Sequence, residues 1–152
     1  MKRRNAREYA LQFLYQIDFL EVGASEHTLR EALGTFWAGV TEKDSDVRAF
    51  TEDLILGTIG NLTPIDREIQ RAADKWDLGR MASVDRTILR VGAYELLYRP
   101  DIPGAVSINE AIEIAKKYST ADSASFINGL LDRIAREVRS GERKSTKKPL
   151  QS

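Results

Sequence analysis

Ser107–Asp132 reads SINEAIEIAKKYSTADSASFINGLLD. Apolar residues recur at helical spacing on both sides of a short polar break: Ile108, Ala111, Ile112 and Ala115 before it, Phe126, Ile127, Leu130 and Leu131 after it. Each half opens on a helix-start signal. Ser107 with Glu110 has the spacing of a capping box, and Asp122 stands where a cap would precede the second stripe. Two helices joined by so short a break pack as antiparallel neighbours, which makes this segment the seed of a helical bundle. The break carries an aromatic at each end, Tyr118 and Phe126. A loop held by rigid helices is a natural place for a binding site.

The same period runs outward in both directions. Ala6, Ala10, Phe13, Ile17 and Leu20 mark a first helix, and Leu29, Leu33, Phe36 and Val40 a second, capped by Ser25. Val47, Phe50, Leu54, Ile55 and Ile59 mark a third that ends near Gly60-Asn61. Thr63-Pro64 reads as the cap and first residue of a fourth, which carries Ile65, Ile69 and Ala72 to about Trp76. The fifth starts near Ser83, is apolar on most sides (Val84, Ile88, Leu89, Val91, Gly92, Leu96), and is expected to be the buried centre. It stops before Pro100, and Asp101–Gly104 connects it to the sixth. The seventh continues through Ile134 and Val138 towards Gly141. No stretch alternates with period two. The expected fold is therefore all-α: about seven helices in two packed antiparallel bundles, about 1–76 and 82–140, within one domain of residues 1–140. Residues 141–152 are expected to form a basic, disordered tail.

Composition narrows the function. The 152 residues are 42% hydrophobic and 30% charged, as in an ordinary globular domain. No apolar run approaches the length of a membrane span, and no signal-peptide pattern follows the basic start. The absence of cysteine leaves no disulfide and no thiolate metal site, which fits a cytoplasmic protein. His27 is the lone histidine and reads as a surface residue. No nucleotide-cradling glycine loop and no convergent ligand set is visible, so no catalytic site, metal or other cofactor is expected. Gly129, after Asn128, is expected to let helices approach closely.

Net charge is zero but unevenly spread. Residues 1–8 carry +3, residues 139–152 carry +4 (Arg139, Arg143, Lys144, Lys147 and Lys148 against Glu142), and the body between them carries −7. This predicts a polyanion at the ends and a basic protein partner for the body. Lys2, Arg3, Arg4 and Arg7 open the first helix, where the macrodipole disfavours cations by roughly 0.3–1 kcal/mol each. Folding stability does not account for such a cluster, whereas bidentate phosphate contacts do. Lys116 and Lys117 adjoin Tyr118, an arrangement suited to phosphate contact beside base stacking. Phe126 fits either a stacking role or the core stripe of its helix.

These blocks together resemble the NusB family. RRNAREYALQFLYQIDF at the start is similar to its arginine-rich first helix. DRTILRVGAYEL (Asp85–Leu96), IPGAVSINEAIEIAKKY (Ile102–Tyr118) and SASFINGLLDRI (Ser123–Ile134) follow its pattern in order and spacing. The likeness covers nearly all of residues 3–138 and is weak from about Val22 to Met81. It implies an all-helical, non-enzymatic RNA-binding factor in transcription antitermination. Such a factor binds the single-stranded boxA element of nascent ribosomal RNA together with NusE, a small-subunit ribosomal protein. The pair joins other Nus factors on RNA polymerase, which then reads through terminators.

By position, the resemblance assigns RNA contact to Arg3, Arg4 and Arg7 and to a second region at Tyr118, Asp122, Ser125 and Phe126, with Lys2, Lys116 and Lys117 as added cations. Asp122 would act as cap and as a limit on affinity. Tyr15 and Asp85 fall where the family meets NusE. Asn5 and Ser125 stand where some members carry a basic residue, which implies either lower RNA affinity here or affinity supplied in part by Lys116, Lys117 and the basic tail. Two other readings are a NusB-like module of an rRNA cytosine methyltransferase, which would need a separate cofactor domain, and a protein-only helical adaptor. Monomer or homodimer stays open.

Overall fold

The structure, a computed structural model, describes residues 2–20 and 25–147. Residues 148–152 of the expected tail lie outside the described residues, as do the side chains of residues 18–20 and 139–147. Among the described residues there are helices and turns and no strand. The helices are α1 (Lys2–Leu20), α2 (Glu26–Ala38), α3 (Ser45–Gly60), α4 (Leu62–Ala73), α5 (Ser83–Tyr98), α6 (Gly104–Tyr118) and α7 (Ala121–Lys147). None of them is long and apolar enough to cross a membrane.

Helix α5 is the axle. Its residues Ile88, Leu89, Val91, Ala93 and Leu96 are buried, and it packs against α1, α3, α4, α6 and α7. Two groups form around it. Helices α1 and α3 pack along each other, and α2 closes over them through edge-to-face contacts of Phe36 and Trp37 with Tyr9. Helices α6 and α7 form the expected hairpin on its other side. The expected division near residue 76 is displaced: α4 packs mainly on α5 and α7 and touches α3 little, so the second group begins at Leu62. The turn at Gly60-Asn61 redirects the chain, and Ile65, Ile69, Ala72 and Ala73 then point into the α5–α7 side of the core.

Several boundaries differ from the sequence signals. Helix α6 begins at Gly104 after Pro103, so Ser107 and Glu110 lie inside the helix and form no capping box. Their side chains are drawn into longer-range hydrogen bonds instead. Helix α4 begins at Leu62, two residues before the expected Pro64, with Asn61 donating its side-chain amide to the Gly57 carbonyl. It stops at Ala73 rather than Trp76 because Asp74 adopts a φ of 55°. Asp122 does not cap α7. Thr120 does, its Oγ1 accepting the Ser123 N–H at 2.9 Å, while Asp122 sits in the first turn, where the dipole favours a carboxylate. Ser25 caps α2 as expected, accepting from the Thr28 N–H. Helix α7 runs through Gly141 to Lys147. One interior glycine costs only about 1 kcal/mol, and the residues around it are good helix formers.

Gly129 is not a point of close approach, since a Cβ there would meet nothing within 4 Å. Gly57 and Gly92 do that work: a Cβ on Gly57 would lie 2.2 Å from the Tyr94 ring, and one on Gly92 2.9 Å from Leu131 Cδ1.

Candidate nucleic-acid interface

The basic start of α1 divides by depth. Arg7 is buried, and its guanidinium makes a bidentate pair with Glu95 of α5, Nε to Oε2 at 2.8 Å and Nη2 to Oε1 at 2.7 Å. Ser107 of α6 donates to the same Glu95 Oε1 at 2.8 Å. Arg7 therefore ties α1, α5 and α6 together inside the protein, a placement that speaks against the direct RNA contact expected of it. Arg4, one turn earlier, is half-exposed and grips Glu110 of α6 in a second bidentate pair, at 2.9 and 2.6 Å. Arg3 is exposed, with its guanidinium 4.4 Å above the Phe50 ring, which also carries Arg7 at 5.4 Å and Arg99 at 5.3 Å on its rim. Lys2 is exposed and reaches Asp44 at 3.0 Å. Exposed positive charge at this end thus comes from Arg3 and from Lys2, the latter shared with Asp44 and Asp46, above a groove formed with Ile102, Pro103 and Val106.

The second expected region adjoins α1. Glu8 accepts from Lys117 Nζ at 2.8 Å and from the Tyr118 hydroxyl at 2.6 Å, both on Oε1. Glu8 lies one turn beyond Arg4, so the Arg4–Glu110 and Glu8–Lys117–Tyr118 pairs lace one edge of α1 to α6. The structure thereby joins the arginine edge and the end of α6 into one continuous seam. Tyr118 is partly exposed, and Lys116 is exposed beside Glu113.

The carboxylates in this seam are held ionised. The Arg4 hydrogen bond keeps Glu110 below the usual range. Burial pushes Glu8 up, but the hydrogen bonds from Lys117 and Tyr118 outweigh it and the net shift is downward. A carboxylate whose folded pKa is depressed contributes stability that is complete above its unfolded pKa and is lost as pH falls through the folded value. Thermal stability is therefore expected to be level from pH 7 to about 5 and to decline below about 4.5. Glu8→Gln should shallow that decline; an unchanged acid limb would show that the seam contributes nothing to it.

Past Tyr118 the chain turns under Asp85. This residue is nearly buried at the start of α5, and its two carboxylate oxygens accept from Ser119 Oγ at 2.7 Å and Ser123 Oγ at 2.8 Å. Asp85 holds the α6–α7 turn in place, with both of its carboxylate oxygens engaged there. Tyr15 is half-buried on α1. Beyond the turn, Asp122 and Ser125 are exposed on α7. Phe126 is half-buried and meets Trp76 edge to face, with centroids 5.8 Å apart. His27 is on the surface, paired with Glu31.

Glu95, Glu110 and Trp76 were missed at the sequence level. The signal for Glu95 was available: a carboxylate in the otherwise apolar run GAYELL requires a buried cation. Among the described residues no cluster of potential metal ligands forms.

Comparison with known proteins agrees with this architecture. The model of the NusB family matches residues 4–136. The transcription antitermination protein NusB of Thermodesulfovibrio yellowstonii is 52% identical over 141 residues, covering 90% of this chain and 93% of that protein. That of Desulfitobacterium hafniense is 43% identical over 144 residues, covering 95% of each. Among solved structures, T. maritima NusB superposes with a TM-score of 0.78 at 40% identity, covering 89% of this chain and 91% of that one. NusB in a complex of antitermination factors NusB and NusE with double-stranded RNA shares the fold, with a TM-score of 0.78 at 23% identity over 90% of this chain and 97% of that one.

Proposed function

The chain belongs to the NusB family, and from that premise we propose that it is a transcription antitermination factor that binds single-stranded boxA-type RNA together with NusE. The observation that supports this best is the seam between α1 and α6. Lys2 and Arg3 stand exposed at one end of it and Lys116, Lys117 and Tyr118 at the other, with Arg4 and Glu8 lacing the middle. Cations at both ends suit a backbone laid along the seam, and an accessible aromatic suits an unstacked base. Phe126, Ser125 and Asp122 continue the surface past the α6–α7 turn. Asp122 opposes phosphate there and tempers affinity.

The protein acts by assembly: it holds RNA and NusE, and through them RNA polymerase with other Nus factors, and no bond is made or broken. Tyr15 is the contact offered to NusE, Asp85 acting through the turn that it holds, and the −7 body suits a basic protein. The matched antitermination proteins are covered over 93–95% of their own length, which favours this reading over a module of a methyltransferase.

The test is RNA affinity against salt. Binding of a boxA-type single strand should weaken with salt and tighten when NusE is added. Lys2→Ala with Arg3→Ala should lower the slope of log K against log salt by about 0.7 per lost phosphate contact. If the double variant keeps both affinity and slope, the α1 end is not part of the RNA site.

A further inference from the structure

Trp76 is the most exposed large apolar side chain among the described residues, at 65%. An indole offers a large apolar face with a polar N–H, which suits it to an interface. It is not loosely held. Gln70 donates its side-chain amide to the Trp76 carbonyl and accepts the Leu78 N–H, which fixes the loop after α4. The Trp76 and Phe126 rings stand at 73°, forming a corner in a groove with Lys75, Arg80 and Met81. Neither Lys75 nor Arg80 pairs with a carboxylate among the described residues, whereas Arg4, Arg7, Arg99 and Lys117 all do. The groove also holds carboxylates. Asp85 is taken up by two serines and Asp77 caps the Gly79 N–H, which leaves Asp122 as the one without a hydrogen bond.

We propose that this corner is an RNA subsite in which one unpaired base stacks on the open face of Trp76 against Phe126, with flanking phosphates on Lys75 and Arg80. The inference rests on the RNA-binding reading above and extends its surface from α7 onto the loop after α4. Unpaired cations beside an open aromatic face match a nucleotide on both counts, charge and stacking. A protein partner would use the indole but has no need of the two free cations. The groove is continuous with Asp122 and Phe126, already part of the proposed RNA surface.

Titration with a boxA-type single-stranded RNA, read by tryptophan fluorescence, tests this. Trp37 is buried, 2.8 Å from a Glu52 acceptor, and serves as an unchanging background. Stacking should quench the Trp76 emission. Trp76→Ala should weaken binding by about 5- to 150-fold with an unaltered salt slope, and Trp76→Phe should recover much of the loss. Lys75→Ala with Arg80→Ala should instead lower the slope by about 1.4. Circular dichroism should find each variant folded, since these side chains lie at the surface. Wild-type affinity and no quench, in a protein that does bind RNA, would overturn the subsite and leave the RNA-binding reading standing. Loss of NusE binding in Trp76→Ala with RNA affinity intact would make the corner a protein dock and equally overturn it. A wild-type protein that binds no RNA would remove both readings.

Discussion

Arg7→Ala is expected to lower stability by about 3–5 kcal/mol, because it leaves the Glu95 carboxyl buried without its cation in the middle of the protein. For a chain of this length that corresponds to a fall in Tm of about 10–20 °C. The loss would be far larger than removal of a surface phosphate contact could produce. Ser107 alone cannot offset it, since one hydroxyl hydrogen bond replaces a bidentate pair. Arg7→Met combined with Glu95→Leu should recover most of the stability, because a buried pair exchanged whole for apolar side chains is often neutral or better. Thermal melts of Arg7→Ala and of the double variant decide the matter. If Arg7→Ala melts within about 2 °C of the parent and yet loses RNA affinity, the guanidinium faces ligand in solution and its burial here is not the working state.

That residue also shows where sequence reasoning succeeds and where it stops. The dipole argument correctly finds the arginines at the start of α1 unfavourable for the helix by itself. It does not follow that they serve a ligand. A partner 88 residues away can outweigh the dipole, and only the fold brings Glu95 under Arg7. The periodicity of apolar residues located all seven helices and the central place of α5, because burial on one face is a local, repeated signal. Caps were less legible. Ser107 and Glu110 have capping spacing, but Pro103 starts the helix a turn earlier and tertiary partners claim both side chains. The proposed RNA surface was half legible. Lys117 and Tyr118 are adjacent in sequence, but Glu8 joins them only through the packing of α1 beside α6. Trp76 read as the last residue of a stripe, and the positive φ of Asp74 turns it out of α4 instead.

Gly57→Ala carries the other large expected effect, and its sign depends on one neighbour. In an exposed helix this substitution would add about 1 kcal/mol of stability. Here the new Cβ would lie 2.2 Å from Tyr94 Cζ, 2.3 Å from Cε1 and 2.4 Å from the hydroxyl oxygen. The ring has little freedom to yield. It stacks on Tyr98 with centroids 5.7 Å apart, and its hydroxyl donates to Asp53 at 3.0 Å. Burial, reinforced by that carboxylate, pushes the Tyr94 phenol up to about 12, so it remains a donor throughout the neutral range. Relieving the clash must push α3 away from α5 or turn the ring out, at a net cost of about 1–3 kcal/mol. The consequence extends to the cationic end of the seam. Asp53 also holds Arg99 at 2.6 Å, and Arg99 shares the Phe50 ring with Arg3. A Gly57→Ala protein should therefore bind RNA more weakly as well as melt earlier. In a Tyr94→Leu background the obstructing ring tip is gone, and the same substitution should become neutral or stabilising by up to about 1 kcal/mol. A double-mutant cycle by chemical denaturation measures this coupling. Additive effects would show that the close approach of α3 to α5 through Gly57 is not what the glycine supplies.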